Sequence, residues 1–306
     1  MTRLICLGLV ALLGVAVCVL AIGSGSYGLG VFVVAPFAAG LLADLITKPA
    51  MRRNSLHAAS VTVCLGGLLM LVTGLEGLIC LAMASPLAFA VAFLGSTVGF
   101  ALRHRQVNEK VALAAALLLG PAGIAAEAIW KPADPLFEVQ SSIEIAAPPE
   151  TVWRHVIASE IPEEREWLFH SGIGYPIRST IEQPGRSATR RCVFSTGAFV
   201  EPITAWDPPR RLAFDVTVSP APMVEWSPYG HIHPAHLDGY FTSRRGEFRL
   251  TPLPGNRTLL AGTSWYQHHL QPAGYWRWWT DYITRRIHAR VLSNIKTLAE
   301  NAPPSL

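Results

Sequence analysis

Long apolar runs dominate the first 130 residues, and short alternating ones dominate the rest. A bilayer core of about 30 Å needs roughly 20 apolar residues per helix. Five stretches, at about 4–22, 28–47, 58–74, 77–102 and 111–130, come near that length. They predict a transmembrane helical region over 1–130 with five spans. Arg3 ahead of the first run, which ends in small residues, also fits a secretory signal peptide. Four further spans follow, so the whole chain cannot be translocated. The weak point is 75–102, where Pro86 can split a long tilted helix into an interfacial piece and a span.

The pattern changes at Lys131-Pro132-Ala133-Asp134-Pro135, where two prolines and two charges mark a boundary. We read 131–136 as a linker and 137–306 as a separate water-soluble domain. Phe137, Val139, Ile143 and Ile145 alternate with Glu138, Gln140 and Glu144, the signature of a half-buried strand. Ala147-Pro148-Pro149-Glu150 starts a helix, because proline is tolerated in a first turn and an acid there suits the helix dipole. Val152, Trp153, Val156 and Ile157 form its apolar stripe, and 163–169 reads as a second short helix.

Strand-like segments recur at about 189–195, 198–206, 211–218, 240–250 and 257–267, separated by turn residues such as Asp207-Pro208-Pro209 and Pro254-Gly255-Asn256. Short turns between consecutive strands imply an antiparallel sheet. From Ala273 to Glu300, Trp279, Ile283, Ile287, Val291, Ile295 and Leu298 recur at helical spacing, with Arg277, Asp281 and Arg285 on another face. The fold class is therefore an all-α transmembrane bundle followed by an α+β domain with a long carboxy-terminal helix.

Composition agrees with this division. Of the 306 residues, 51% are hydrophobic and only 15% charged, against about 25% charged in soluble domains. The net charge of +4 gives no basic footprint for nucleic acid, so no such partner is expected. Cys6, Cys18, Cys64 and Cys80 lie in the apolar half and only Cys192 in the other, so the soluble domain has no internal disulfide. No Cys-x-x-Cys pair exists.

Basic residues favour the cytoplasmic side. Arg3 precedes the first span, Lys48, Arg52 and Arg53 lie between the second and third, and Arg103, Arg105 and Lys110 between the fourth and fifth. With five spans the amino terminus is cytoplasmic and the soluble domain lies on the outer, periplasmic side of a bacterial inner membrane. One span more or less inverts this. Asp44, Glu76 and Glu127 lie in or near the apolar runs. Either all three sit at the wet interface, or Glu76 and Glu127 make polar contacts under the outer domain.

The element order of 137–300, with Ile143-Glu-Ile-Ala-Ala-Pro-Pro-Glu-Thr-Val-Trp153, resembles the START-like, or SRPBCC, superfamily of polyketide cyclases/dehydrases and lipid-transfer domains. Gly197-Ala-Phe-Val-Glu201 with Trp206-Asp-Pro-Pro-Arg-Arg-Leu-Ala-Phe214 resembles its strand pair around a turn. Arg245-Gly-Glu-Phe-Arg-Leu250 with Gly262-Thr-Ser-Trp-Tyr266 resembles the next hairpin. The whole chain is similar to a bacterial branch with several amino-terminal membrane spans. The resemblance implies a helix-grip fold, a curved sheet around the last helix with a cavity that takes a hydrophobic ligand.

Chemistry-bearing residues gather in Glu225-Trp-Ser-Pro-Tyr-Gly-His231-Ile-His233-Pro-Ala-His236-Leu-Asp238. Three readings suit this loop: a structural lid, a general acid or base at a pocket mouth, and a zinc set of His231 and His233 with His236 or Asp238. The spacing fits no established zinc motif, so no metal is assigned. No Gly-x-Ser-x-Gly elbow accompanies His268, His269 or His288. Gly23-Ser-Gly-Ser-Tyr-Gly28 matches a nucleotide-binding pattern only loosely and lies between spans, so no cofactor is assigned.

The ligand-pocket candidates are Trp226, His231, His233, His236, Tyr240, Trp265 and Tyr266. The membrane-interface candidates are Glu76, Glu127, Trp276 and Arg277, the last two within an aromatic cluster suited to headgroups or to the core. The expected partners are membrane lipids and a hydrophobic small molecule. Three functions remain open: a tethered binder or carrier, an enzyme of cyclase or dehydratase type that needs the loop histidines or Glu225 inside the pocket, and a sensing module with a filled cavity.

Overall fold

Apolar length decides the first half of the chain. The computed structural model describes residues 2–25, 27–129, 135–162, 166–186 and 188–302; the expected boundary at 131–134 and the start of the helix expected over 163–169 lie outside them. Among the described residues, five helices are long and apolar enough to cross a membrane. They are α1 (Thr2–Gly23), α2 (Gly30–Thr47, its first turn π-helical), α3 (Arg52–Val72), α4 (Leu78–His104) and α5 (Glu109–Ile129).

Pro86 does not split α4. Its missing N–H leaves the Ala82 carbonyl without its usual helical donor, and the Ser85 hydroxyl donates to that oxygen at 3.0 Å. At 27 residues α4 spans about 40 Å, longer than the about 30 Å of a hydrocarbon core.

α2 and α4 pack closely because small residues let their backbones meet. A side chain at Gly40 would place its Cβ 1.9 Å from the Ala92 carbonyl oxygen, and one at Gly95 would lie 2.1 Å from that of Phe37. At one end of this pair the fully buried Asp44 accepts two bonds from Arg103, at 2.7 and 3.1 Å, and one from the Ser55 hydroxyl at 2.5 Å. Asp44 is thus neutralised inside the bundle and not solvated at its edge. By contrast, Leu4, Leu9, Leu12, Leu68, Leu94 and Leu118 stand exposed on the helices.

The second half builds one antiparallel sheet. Its elements are β1 (Phe137–Ile145), α6 (Pro149–Ile157), β2 (Ser159–Glu160), α7 (Trp167–His170), β3 (Pro176–Ile181), β4 (Thr189–Phe194), β5 (Gly197–Asp207) and β6 (Arg211–Asp215). A small hairpin, β7 (Glu225–Ser227) and β8 (Gly230–Ile232), is followed by a 3-10 turn at Ala235–Leu237, β9 (Phe241–Leu253), β10 (Arg257–His268) and α8 (Ala273–Glu300). Eight strands run β1-β10-β9-β6-β5-β4-β3-β2. Register shifts within β3, β5 and between Trp265 and Tyr266 mark irregularities that increase the bend of a sheet. β2, β3 and the β7–β8 hairpin are additions to the expected strands, each short or interrupted by Pro and Gly.

Ile145, Val152, Trp153, Val156, Leu212, Leu250, Leu260, Leu292 and Ile295 form the core between sheet, α6 and α8. The seam of α8 differs from the expected one. The buried positions are Trp276, His288, Leu292, Ile295 and Ala299, whereas Ile287 and Val291 flank them and line a cavity. The chain folds as two compact units. One holds the five helices together with Glu225–His236 and His269–Tyr275, and the other holds the eight-stranded sheet and most of α8.

Gly95→Val should destabilise the helical unit by about 1–3 kcal/mol or more through overpacking, read as a lower thermal midpoint in detergent. Gly67→Ala, whose new methyl meets nothing within 4 Å, should leave it unchanged. Equal midpoints for the two variants would contradict the α2–α4 packing.

Candidate functional site

In antiparallel strands one face alternates with the other, so a charge in register with apolar neighbours is carried inward. Arg190, Cys192 and Phe194 share a face of β4, Phe199, Glu201 and Ile203 share one of β5, and Arg190 is directly opposite Glu201. The two side chains form a buried ion pair. The Arg190 guanidinium also lies over the rings of Phe214, at 5.0 Å, and Phe248, at 5.7 Å, a cation–π arrangement. Its Nε has no hydrogen-bond partner among the described residues.

These residues line a cavity of about 110 Å³ between the sheet and α8, with Phe194 and Phe199 on one wall and Ile287, Val291 and Leu292 on the other. Burial is the largest effect on Glu201 and raises its pKa despite the neighbouring Arg190. Burial likewise pushes the Cys192 thiol up to about 11, which leaves it protonated and a poor nucleophile at neutral pH. At the rim Glu247 has the opposite fate. Burial alone would raise it, but hydrogen bonds from Arg249 and Arg211, with their charges, hold its carboxyl below the usual range.

His288 reaches the same cavity from α8. Its Nε2 is 2.8 Å from the Ser264 hydroxyl and its Nδ1 3.2 Å from that of Ser141. Burial, with Arg285 acting in the same direction, pushes its pKa down to about 4. The ring is therefore neutral, with one donor and one acceptor nitrogen, and two hydroxyls complement either tautomer.

Of the seven ligand-pocket candidates, the three within the sheet unit, Tyr240, Trp265 and Tyr266, do not line this cavity, and the other four belong to the helical unit. Trp226 and His231 are exposed on the β7–β8 hairpin, and His233 is exposed just beyond it. His236 is buried in the helical unit, with Nδ1 3.2 Å from Glu76 Oε2 and Nε2 3.7 Å from Glu225 Oε1. Tyr240 is half-buried ahead of β9. Trp265 donates from Nε1 to Glu138 at 3.0 Å, and Tyr266 is buried and donates to Asp281.

Among the interface candidates, Glu76 is 3% exposed and accepts the Tyr27 hydroxyl. Glu127, half-buried on α5, accepts the Leu29 and Gly30 amides at the start of α2, at 2.8 and 3.2 Å, where the positive end of the helix dipole favours an anion. Trp276 is buried, and Arg277 lies over the Phe137 ring and 3.4 Å from Asp281. Arg190, Glu201 and His288 are not among the residues that the sequence nominates for a site. The available signal was opposite charges sharing strand faces with phenylalanines in two neighbouring strands.

Two outcomes are expected. Arg190→Met should cost about 3–5 kcal/mol by leaving Glu201 buried and unpaired, whereas Arg190→Met with Glu201→Met should recover most of that loss; denaturant midpoints of the full chain in detergent compare them. For His288 the native state holds the neutral ring while the unfolded chain takes a proton near the ordinary 6.5. Stability is therefore full above 6.5 and falls as pH drops toward 4, by up to about 3 kcal/mol. A pH series of unfolding midpoints should show this dependence reduced in His288→Gln.

Residues 137–293 match the protein family described as polyketide cyclase / dehydrase and lipid transport. Among solved structures, the Zhui aromatase/cyclase from Streptomyces sp. R1128 is 18% identical over 54% of this chain and 94% of its own, with a TM-score of 0.36. Truncated norcoclaurine synthase from Thalictrum flavum is 11% identical over 57% of this chain and 99% of its own, with a TM-score of 0.36. A protein from Nitrosospira multiformis is 16% identical over 53% of this chain and 94% of its own, with a TM-score of 0.32. No curated protein matches the chain. With half its length matched by the family and a curled antiparallel sheet gripping a carboxy-terminal helix, this chain belongs to the polyketide cyclase / dehydrase and lipid transport family.

Proposed function

We propose that the protein is a membrane-anchored binder of a small hydrophobic molecule carrying one acceptor group, held in the helix-grip cavity. The observation that carries this reading is the cavity between the sheet and α8, where the buried Arg190, with no hydrogen-bond partner on Nε among the described residues, lines a site beside aromatic and aliphatic side chains. Apolar walls favour a hydrophobic body, and a donor buried without a partner favours a ligand that supplies one. At about 110 Å³ the cavity is smaller than the about 150 Å³ that holds benzene, so it suits an occupant no larger than a single ring. An acyl chain needs more room.

Anchoring rests on the five apolar helices and the leucines they expose, a surface that lipid covers at no cost and water does not. With five spans, the basic residues of the amino terminus and the α2–α3 and α4–α5 connections lie on the cytoplasmic side, which puts the sheet unit on the outer side. Membrane lipids are then the natural surroundings of the helices.

A second reading places lipid recognition in the helical unit. There a cavity of about 430 Å³ is lined by α1, α2, α3 and α4 and is almost wholly apolar.

Native mass spectrometry of the full chain released from detergent separates the two. A co-purified small molecule should be lost from Val291→Trp, which fills the helix-grip cavity, and kept by Gly67→Leu, which enters the helical one. Loss from Gly67→Leu alone would overturn the first reading in favour of the second. Equal adducts in all three proteins would overturn both.

A further inference from the structure

A second polar constellation lies within the helical unit, and the binding reading makes no use of it. Glu76 ends the α3–α4 connection, Cys80 is in the first turn of α4, and His236 arrives in the 3-10 turn after the β7–β8 hairpin. One ligand atom from each, a carboxylate oxygen, the thiol sulfur and an imidazole nitrogen, all lie within 4.8 Å of one another. All three side chains are buried, with Glu76 3%, Cys80 8% and His236 7% exposed.

The hydrogen bonding around this group is incomplete among the described residues. Glu76 Oε1 is taken by the Tyr27 hydroxyl, but Oε2 has no hydrogen-bond partner among the described residues. Neither ring nitrogen of His236 has one either. Nδ1 stands 3.2 Å from Glu76 Oε2, within ion-pair reach yet without hydrogen-bond alignment. Buried donors and acceptors left open are costly, and two of these, Glu76 Oε2 and His236 Nδ1, lie 3.2 Å apart in the group that includes the Cys80 thiol.

We infer that Glu76, Cys80 and His236 form a binding site for a zinc-class divalent cation. Thiolate, imidazole and carboxylate are the donors that borderline divalent ions such as zinc prefer. A tetrahedral site with bonds of about 2.0–2.3 Å sets its donor atoms about 3.3–3.8 Å apart, so the present spacing needs only a modest contraction. Charge balances as well: the ion carries two positive charges, the Cys80 thiolate and the Glu76 carboxylate one negative charge each, and the imidazole is neutral. Binding releases the thiol proton to solvent. A neutral complex avoids the cost of an isolated charge in a buried place.

The surroundings are those of a supported metal centre. Glu225 accepts the Ile79 and Cys80 amides, at 3.1 and 2.8 Å, and so fixes the turn that carries Cys80. That approach requires Gly77, where a Cβ would lie 2.0 Å from Glu225 Oε2. Glu225 Oε1 also lies 3.7 Å from His236 Nε2. With Nδ1 on the ion, Nε2 would keep its proton beside the Glu225 carboxylate, which a small approach would turn into the usual support of a ligating histidine. Glu76 and Cys80 line the 430 Å³ apolar cavity too. Three protein ligands leave a fourth position for water, the arrangement of metal sites that react or exchange.

The test uses untagged full-length protein in detergent, incubated with zinc or cobalt(II) alone and freed of excess ion. Elemental analysis should find one zinc per chain, and the cobalt form should show a sulfur-to-cobalt charge-transfer band. Cys80→Ser should abolish the band, and His236→Gln should weaken binding by more than tenfold, while Cys18→Ser should keep both signals. Zinc should also protect one buried thiol of the unmodified protein from alkylation, a readout that does not depend on any variant folding. Absence of bound metal, or cobalt bound without the sulfur band, would overturn the assignment. So would metal content unchanged in both Cys80→Ser and His236→Gln. Each of these results is independent of whether the helix-grip cavity holds a ligand.

Discussion

A strongly bent sheet cannot lie flush against a straight helix. In the sheet unit eight antiparallel strands, bent at irregularities in β3, β5 and β10, curl about α8, and contact is tight only where Leu260, Leu212 and Ile145 meet Leu292 and Ile295. Where the surfaces diverge a cavity remains, and Ile287 and Val291 are left at its wall instead of in the core. The same divergence gives room for Arg190 and Glu201. A flat sheet would have no space for an inward-facing ion pair, and a tighter one would force both charges out.

Buried charge is handled in one way throughout. Arg190 meets Glu201, and Asp44 meets Arg103. Glu127 and Glu225 meet the first amides of α2 and α4. In each case the group that loses water gains a partner of opposite charge or a helix dipole. Glu76 with His236 is the incomplete member of this set, since the two approach each other but leave three polar atoms unspent.

Much of this architecture is legible in the chain. The five apolar runs are long enough to override local detail, so even Pro86 fails to break α4 once Ser85 supplies a substitute donor. Strong alternation places β1, and Pro149 with Glu150 places α6. The candidate sites are harder because they depend on register between strands distant from the obvious motif. Arg190 looks like any charged strand residue until Glu201 is set opposite to it. The histidine-rich segment is conspicuous, yet of its three histidines only His236 is buried. Its companions Glu76 and Cys80 lie far earlier in the chain, beyond the reach of any spacing rule.

The glycine-mediated contact of α2 with α4 also bears on the walls of the 430 Å³ cavity. Backbones that touch at Gly40 and Gly95 cannot slide or part without losing their fit, so these two helices act as a stiff keel. The cavity's other walls come from α1 and α3, including Gly66 and Gly67, whose neighbours leave open space. The cavity therefore has one wall set by close backbone packing, on the α2–α4 side, and one on the α1–α3 side where Gly66 and Gly67 leave room for larger side chains.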